Sequence, residues 1–312
     1  LTKRIIKKFK PKKLIIFSRD EAKHFEMQKK FSDQKYKFMR YFLGDIRDKS
    51  RLKEALRGTD IVIHAAALKQ VPSGEYNPME IVKTNIYGSQ NLIEACIENK
   101  VKKIIALSTD KAANPINLYG ATKLASDKLF IAANNLVGTA KTRFTVVRYG
   151  NVLNSRGSVV PLFKKLSANG EKFLPITHPK MTRFWVSLDD AVKFVDYCFK
   201  IMQGGEILIP KIPSVKITDL AKAINPKMRQ KIIGIKPGEK LHEIMCPKDS
   251  AHLTYEFKKY YLITTDIIFF NRNRNFKKNK FSEAGRLVES DFEYNSLTNI
   301  NFLNISQIKK LI

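Results

Sequence analysis

The sequence predicts an α/β fold in which a doubly wound parallel sheet is followed by a smaller α/β lobe. Short apolar segments alternate with segments of helical length between residues 14 and 148, a pattern typical of βαβ units. After about residue 151 the strands and helices become shorter and the pattern changes. The chain has 312 residues, enough for one large or two modest units with a buried core. We expect a ligand cleft between the sheet and the lobe.

Five strands are predicted in the first half of the chain. Each is rich in Ile, Val, Leu or Phe, and a segment of helical length separates it from the next. They cover residues 14–17, 38–43, 60–64, 103–107 and 144–148. Because helices connect them, we expect the strands to be parallel, with their carboxyl ends at the edge of the sheet where α/β proteins bind ligands.

The predicted helices have recognisable amino-terminal residues. Asn77 and Pro78 begin a helix that continues to Asn99, and Asn117 with Leu118 begins the next one, as expected for Asn caps and a Pro in the first turn. Further helices are predicted over residues 189–202 and 218–224. We expect a first domain at residues 1–150, a lobe at 151–263 with some segments returning to the main sheet, and a peripheral segment at 264–312.

The net charge of +28 does not by itself indicate a nucleic-acid partner. The lysines are spread along the whole chain and no RNA-binding aromatic motif occurs, so we predict no nucleic-acid binding. A positive field is equally compatible with an anionic nucleotide ligand.

The cysteines and the apolar runs indicate the cellular compartment and whether the chain contains a membrane span. Cys96, Cys198 and Cys246 lie far apart, which predicts neither disulfides nor a metal site and favours a reducing cytoplasm. No apolar run reaches the roughly 18 to 20 residues of a spanning helix, so no membrane span is predicted.

The strongest chemical pattern lies just after the fourth predicted strand. Asp110 and Lys111 follow that strand, and Tyr119 and Lys123 lie on the next predicted helix. A Tyr and a Lys four residues apart share one helix face, so the ammonium is expected to lower the pKa of the phenol and make it a base. Asp110 and Lys111 form a second acid–base pair.

A series of motifs occurs in order between about residues 10 and 260. They are Ser18-Arg19-Asp20-Glu21, residues 44–48, 64–69, 75–78, 83–86, 108–128, 148–152, 155–161, 181–185, 204–206, 210–213 and 238–243. The series resembles the extended short-chain dehydrogenase/reductase superfamily and, within it, the inverting UDP-N-acetylglucosamine 4,6-dehydratases. Its most discriminating member is Thr109-Asp110-Lys111, because related epimerases and retaining dehydratases usually have other residues at the last two positions.

The resemblance implies a Rossmann-like fold and a dehydration of UDP-N-acetylglucosamine with inversion at C5. Hydride passes from C4 to NADP⁺, the ketone acidifies the C5 hydrogen, the C6 hydroxyl leaves with a proton, and the hydride returns to C6. In this family the reaction begins pseudaminic acid biosynthesis, which serves flagellin glycosylation or surface polysaccharide. The family commonly forms homo-oligomers.

The resemblance also implies residue roles. Tyr119 takes the proton of the C4 hydroxyl, and Lys123 lowers the pKa of Tyr119 while binding the nicotinamide ribose. Lys111 is the candidate base at C5 and Asp110 the candidate acid at the C6 hydroxyl, with the reverse assignment left open. These roles require a partly neutral amine and a protonated carboxyl, and we expect burial to shift both pKa values in those directions.

The implied binding residues surround these four. A cation at Arg19, just after a strand, favours the 2′-phosphate of NADP over NAD. The implied cofactor contacts are Ser18, Arg19, Asp20, Lys23, Asp45, Ile46, Ala66, Tyr119, Lys123 and Val152. The implied UDP-sugar contacts are Lys69, Thr109, Asn151, Gly157, Ser158, Val159, Val160, Pro161, Leu162, Thr177, Arg183, Lys236 and Glu239.

Several of these residues also have structural interpretations. The guanidinium of Arg183 suits a pyrophosphate, but Arg183 beside Trp185 also suits a packed structural residue. We interpret His64 as a packing residue, and His242 and Glu243 as helix-capping or lobe contacts rather than a metal pair.

The beginning of the chain departs from the family pattern. Relatives open with a strand and a turn of the Thr-Gly-Gly-Thr-Gly-x-x-Gly type, whereas the first glycine here is Gly44. We expect a truncated gene product in which cofactor capture and activity are in doubt, since that turn approaches the pyrophosphate. Lys236 stands where the family has an Arg, which keeps the charge but loses the bidentate fork.

Two alternatives therefore stay open. One is a C4 or C5 epimerase of the same superfamily, whose product would retain the C6 hydroxyl. The other is a catalytically inactive basic binding protein that kept the fold.

Overall fold

The computed structural model describes residues 1–138, 140–155, 157–265 and 274–312. The helices are α1 (Thr2–Phe9), α2 (Glu21–Lys30), α3 (Lys49–Ala55), α4 (Val71–Tyr76), α5 (Pro78–Val82), α6 (Gly88–Glu98), α7 (Leu118–Ala132), α8 (Val159–Ala168), α9 (Leu188–Ile201), α10 (Ile217–Ile224) and α11 (Ile305–Leu311). The strands are β1 (Leu14–Ser18), β2 (Met39–Leu43), β3 (Ile61–His64), β4 (Lys103–Thr109), β5 (Arg143–Tyr149), β6 (Asn151–Val152), β7 (Phe173–Ile176), β8 (Thr182–Val186), β9 (Ile207–Pro210), β10 (Ser214–Lys216), β11 (Arg229–Ile232), β12 (Ile244–Cys246), β13 (Thr254–Glu256), β14 (Tyr260–Ile263), β15 (Arg286–Leu287) and β16 (Tyr294–Asn295).

The main sheet combines strands from both halves of the chain. Its order is β15-β13-β14-β9-β5-β4-β3, and β1 and β2 form a separate parallel pair. Strands β3, β4, β5 and β9 are parallel to one another, whereas β14 is antiparallel to β9. The five strands predicted in the first half are all present, within a few residues of the predicted bounds. The α/β class with a parallel sheet is confirmed.

The parallel strands β1 and β3 are edge strands of their sheets. Among the described residues, β1 pairs only with β2 and β3 pairs only with β4. Ile61 on β3 is 51% exposed, unusual for an apolar side chain in a parallel sheet, which is normally covered on both faces. The backbone N–H and C=O groups along these edges are therefore left to water or to another partner.

The predicted helix that begins at Asn77 is interrupted by one π-helical turn. Helix α5 is followed by the π-turn over Lys83–Tyr87 and then by α6. Within this turn the Asn85 side chain is buried; its Oδ1 accepts a hydrogen bond from the Leu68 N–H at 2.8 Å and its Nδ2 donates to the Leu68 carbonyl at 2.9 Å. Such turns are frequent at functional sites, and this one anchors the loop after β3 that contains Lys69.

The lobe has a hydrophobic core of its own. Phe163, Leu174 and Trp185 are buried there, apart from the cores that cover the main sheet. Ile308, on α11, is fully buried in the same cluster, so the C-terminal segment contributes a helix to the lobe. Separate cores support a division between sheet and lobe near residue 150, which stays a proposal.

The helices of the described chain give no candidate for a bilayer crossing, since none combines the necessary length and apolarity.

Candidate active site

The end of β4 places an acid directly beside an amine. Asp110–Ala112 form a single 3₁₀ turn at the carboxyl end of β4. The Thr109 hydroxyl donates to Asp110 Oδ1 at 2.9 Å, and Lys111 Nζ donates to the same oxygen at 3.0 Å. Asp110 is fully buried and the Lys111 side chain is 28% exposed. The turn therefore holds Asp110 and Lys111 as a pair at the predicted edge of the sheet.

A second carboxylate faces the same amine from the lobe side. Glu243 precedes β12 and is 2% exposed. Its Oε1 lies 3.2 Å from Lys111 Nζ and 3.7 Å from Arg183 Nε. The role predicted for Glu243 is a helix-capping or lobe contact. Its contact with Lys111 leaves no local sequence pattern, because the two residues are far apart in the chain.

These charges and burial shift the pKa values of Asp110 and Lys111. Burial raises the pKa of Asp110, and although Lys111 opposes this, the Glu243 carboxylate acts in the same direction as burial. Burial lowers the pKa of Lys111, but Asp110 and Glu243 outweigh burial and raise it. The expected direction is confirmed for Asp110. For Lys111 it is wrong, because two carboxylates face one amine.

Tyr119 and Lys123 lie at the beginning of α7. Asn117 caps this helix as predicted, with its Oδ1 accepting from the Gly120 N–H at 2.8 Å. Lys123 is 3% exposed, and its Nζ donates to the Leu107 carbonyl at 3.0 Å. Burial raises the pKa of Tyr119, against smaller lowering effects of Lys111 and the Thr109 hydroxyl. The predicted net lowering of the Tyr119 pKa by Lys123 is therefore wrong in this structure.

His64 has the surroundings of a packing residue. Its ring lies 5.4 Å from the Phe130 ring, centroid to centroid. Burial lowers the pKa of His64 to about 3, with the Lys123 charge acting in the same direction. A neutral, enclosed imidazole is consistent with the predicted packing role.

The ends of β1 and β2 bring a cation and an acid together. Arg19 Nη1 lies 3.2 Å from Asp45 Oδ2, with the Arg19 side chain 50% exposed. Burial raises the pKa of Asp45, but hydrogen bonds from Arg47 and Arg19 prevail and lower it to about 2. Asp20 caps α2 by accepting from the Lys23 N–H at 3.0 Å. The exposed Arg19 guanidinium suits a phosphate, and the Asp45 carboxylate can accept a hydrogen bond from a hydroxyl on an adjacent ligand atom.

The other predicted cofactor contacts differ in exposure. Ser18 ends β1, Ala66 is exposed in the loop after β3, and Val152 is partly buried on β6. Ile46 is 7% exposed in the core, and a Cβ added to Gly88 would lie 2.7 Å from Ile46 Cγ2. The Ile46 side chain therefore packs in the interior.

A dinucleotide needs contacts at its adenosine end, at its nicotinamide end and at the pyrophosphate between them. Arg19 with Asp45 suits the adenosine end, and Tyr119 with Lys123 suits the nicotinamide end. The chain's first glycine does not provide a phosphate cradle, because a Cβ at Gly44 would lie 2.6 Å from the Phe17 ring. The described residues therefore fit the two ends of a dinucleotide.

The predicted substrate residues around Gly157 lie beside the loop after β3. A Cβ on Gly157 would lie 3.2 Å from Gln70 Nε2, so Gly157 lies near Lys69, which is exposed. Ser158 is the N-cap residue of α8 and its hydroxyl is buried without a partner among the residues described. Helix α8 includes Val159, Val160, Pro161 and Leu162, of which Val160 is 2% exposed and Leu162 is 45% exposed.

The remaining substrate residues come from the lobe. Asn151 pairs with Trp185 between β6 and β8, and the Thr177 hydroxyl contacts Met181 Sδ at 3.5 Å. Lys236 is exposed, whereas Glu239 has a buried Oε2 without a partner in the described part of the chain.

Arg183 has structural partners besides Glu243. Its Nη1 donates to the Thr182 carbonyl at 2.7 Å and to the Leu241 carbonyl at 3.2 Å. It is 8% exposed. The packed interpretation of Arg183 is therefore supported, and its Nε faces the charged cluster.

The lobe contacts the turn after β4 through residues 238–243. Asn117 Nδ2 donates to the Gly238 carbonyl at 2.8 Å, and Lys240 Nζ donates to the Ala113 carbonyl at 2.6 Å. Together with the ion pair between Glu243 and Lys111, these contacts hold the lobe against Thr109–Lys111 and the beginning of α7. The site therefore lies where the sheet and the lobe meet.

Gly120 allows α7 to approach the turn after β4. A Cβ at this position would lie 2.3 Å from the Lys111 carbonyl oxygen. We expect Gly120→Ala to lower the free energy of unfolding by about 1–3 kcal/mol, because the backbone must move to relieve the clash. Urea denaturation measures this. Ala121→Ser, at an exposed position of the same helix, serves as the control, and equal stability of the two variants would contradict the close approach.

Comparison with known proteins identifies relatives along the whole chain. Residues 1–265 match the polysaccharide biosynthesis protein family. A UDP-N-acetylglucosamine 4,6-dehydratase (inverting) of Campylobacter jejuni is 58% identical over 311 residues, covering 100% of this chain and 92% of the relative. A UDP-glucose 4-epimerase of Rickettsia akari is 41% identical, covering 96% of this chain and 86% of the relative.

Solved structures show the same fold. The structure of Pen from Bacillus thuringiensis has a TM-score of 0.86 and 33% identity, covering 99% of this chain and 92% of that one. The dTDP-glucose 4,6-dehydratase DesIV of Streptomyces venezuelae has a TM-score of 0.67 and 20% identity, covering 77% of this chain and 82% of that one. The resemblance predicted from the motifs is confirmed, and the chain belongs to the polysaccharide biosynthesis protein family.

Proposed function

We propose that this protein dehydrates UDP-N-acetylglucosamine to a UDP-4-keto-6-deoxyhexose with inversion at C5. The observation that carries the proposal is the pair of buried Asp110 and part-buried Lys111 beside Tyr119 at the end of β4. Oxidation at C4 needs one base, whereas elimination across C5 and C6 also needs a base at C5 and an acid at the leaving oxygen. The pair supplies both. The 58% identical relative of that name supports the same reaction.

Tyr119, Lys111 and Asp110 divide the proton transfers among them. Tyr119, as the phenolate, takes the proton of the C4 hydroxyl. Lys111, as the neutral amine, takes the C5 proton, and protonated Asp110 gives its proton to the C6 oxygen, which leaves as water. The pair ends as an ammonium and a carboxylate, joined by the Lys111 Nζ to Asp110 Oδ1 hydrogen bond of 3.0 Å. Once the hydride is back on C6, the Tyr119 phenol gives its proton to C5 on the opposite face, which inverts that centre and restores the phenolate. A proton moving from Lys111 Nζ back to Asp110 Oδ1 then prepares the next turnover.

We propose an NAD(P) cofactor and, of the two, NADP. When bound, it takes the hydride from C4 and returns it to C6. Lys123 and Tyr119 would hold its nicotinamide ribose, and the exposed Arg19 guanidinium favours a 2′-phosphate on its adenosine. The residues predicted for the UDP-sugar, including Lys69, the loop that begins at Gly157 and Glu239, stay proposals. They are supported by the approach of Gly157 to Gln70 and by the hydrogen bond from Asn117 to the Gly238 carbonyl.

The cellular setting is also proposed. The described cysteines are free and buried, which supports the cytoplasm as the compartment. Membership of a polysaccharide biosynthesis family supports a product used for surface glycans, with pseudaminic acid and flagellin glycosylation as the specific hypothesis. A homo-oligomer is proposed from the resemblance.

Incubation of the protein with UDP-N-acetylglucosamine tests the activity. We expect a 4-keto-6-deoxy product by NMR, inverted at C5, with a higher rate in NADP⁺ than in NAD⁺ because Arg19 favours the extra phosphate. The Tyr119→Phe variant is the control, since it lacks the base for C4 oxidation.

The other outcomes separate the alternatives. A product that retains the C6 hydroxyl would favour the epimerase. Cofactor binding without any product would contradict the dehydratase. Absence of cofactor binding would favour the inactive binding protein.

A further inference from the structure

We propose that Glu243 is a positioning residue that holds the Lys111 ammonium from the lobe side and keeps Asp110 in its protonated form. This inference rests on the proposed dehydration, in which Asp110 must give a proton and Lys111 must take one. Neither the motifs nor the predicted roles assign Glu243 to the reaction.

The position of Glu243 is fixed by the surrounding backbone. Its N–H donates to Ser296 Oγ at 2.9 Å, and the Ser296 N–H donates to the Glu243 carbonyl at 2.8 Å. Ser296 is fully buried and its hydroxyl contacts Thr182 Oγ1 at 2.7 Å. Two hydrogen bonds to Ser296 thus fix the backbone of Glu243, as a preorganised site requires.

Two carboxylate oxygens in this cluster lack a partner. Asp110 Oδ2 and Glu243 Oε2 are buried and have no hydrogen-bond partner among the described residues. A buried anionic oxygen without a donor is costly, so at least one of the two carboxyls gains by binding a proton. The two carboxyls are linked through one amine, which contacts Asp110 Oδ1 at 3.0 Å and Glu243 Oε1 at 3.2 Å.

The surrounding charges decide which carboxyl is protonated. Burial raises the pKa of Glu243, but Lys111, Arg183 and Lys240 outweigh burial and lower it. Asp110 lies opposite the same Lys111, and the Glu243 carboxylate repels its charge and so raises its pKa together with burial.

The neighbouring groups do not change this assignment. The ring Nδ1 of His242 lies 2.8 Å from Thr182 Oγ1, and burial raises the pKa of Tyr119, which opposes an added negative charge there. A proton shared by this cluster is therefore held by Asp110 in preference to Glu243, the state in which Asp110 can serve as the acid.

Infrared titration of Asp110 tests this without turnover. The band of a protonated carboxyl that disappears in Asp110→Asn reports the Asp110 proton. Glu243→Gln removes the negative charge that repels the Asp110 carboxylate, so we expect the band to disappear at lower pH than in the wild type. Glu171→Gln, the same change at an exposed position of the lobe, should leave the titration midpoint unchanged. An unchanged midpoint in Glu243→Gln overturns the proposal.

The pH dependence of turnover is the second measurement. The active form needs protonated Asp110 and neutral Lys111, and Glu243 raises the pKa of both. Glu243→Gln should therefore move both limbs of the bell-shaped profile to lower pH, with turnover reduced roughly 10- to 100-fold by the loss of orientation. Glu243→Asp keeps the charge and should keep both limbs near their wild-type positions. A lower rate in Glu243→Gln with an unmoved profile indicates a merely structural role.

The two measurements also separate this inference from the proposed function. If the wild-type protein makes no product, the proposed dehydration fails, while the infrared midpoint still decides whether Glu243 holds the proton on Asp110.

Discussion

Replacing Asp110 by Asn is expected to lower the rate of dehydration by about 10²- to 10⁴-fold, the usual contribution of a positioned acid. The introduced asparagine keeps the shape of the side chain, and its amide oxygen can still accept the bonds that Thr109 and Lys111 donate to Asp110 Oδ1. It cannot supply a proton to the C6 oxygen. Hydride transfer from C4 uses Tyr119 and should continue, so the defect falls on the elimination step.

Two measurements locate the defect. Nicotinamide absorbance after rapid mixing should show reduction of the cofactor in Asp110→Asn, and NMR should show the 4-keto sugar with its C6 hydroxyl in place. Asp249→Asn, at an exposed carboxyl, is the matched control and should keep the wild-type rate. Dehydration at the full rate in Asp110→Asn would show that another group protonates the leaving oxygen.

Local features of the chain were predictable from the sequence. The parallel strands follow from apolar runs of the correct length, and the beginning of α7 follows from Asn117, whose side chain caps the helix within three residues. The turn that joins Asp110 and Lys111 is equally local. The π-turn around Asn85 was not predicted, because the hydrogen bonds of Asn85 with Leu68 join residues outside the helix and leave no local pattern.

The electrostatic predictions failed where distant residues contribute. The Lys111 pKa was expected to fall by burial, and burial does act in that direction. Asp110 and Glu243 together reverse the net direction, and Glu243 reaches Lys111 only because the lobe folds against the end of β4. The motif that contains Glu243 is recognisable in the sequence by resemblance, but the contact of Glu243 with Lys111 depends on the packing of two units of the fold.

The largest expected loss of stability comes from a buried ion pair behind the site. Asp127 Oδ2 accepts from Ser108 Oγ at 2.8 Å and from Arg148 Nη2 at 3.2 Å. The side chains of Arg148 and Asp127 are only 4% and 2% exposed, and Arg148 Nη1 also donates to the Met245 carbonyl at 3.0 Å. One charge network therefore joins β4, α7, β5 and β12, the elements that hold Lys123 and Glu243 in place.

Asp127→Ala should lower the free energy of unfolding by about 3–5 kcal/mol, because it leaves the Arg148 guanidinium buried without its counter-charge. The attraction within such a pair roughly offsets the cost of burying both charges, so removing both should be far less costly than removing one. The double variant Asp127→Leu with Arg148→Met should accordingly recover most of the lost stability in urea denaturation. Stability that falls by less than about 1 kcal/mol in Asp127→Ala would mean that water reaches Arg148. A double variant as unstable as the single one would mean that the network is needed for its hydrogen bonds to Ser108 and Met245 rather than for charge balance.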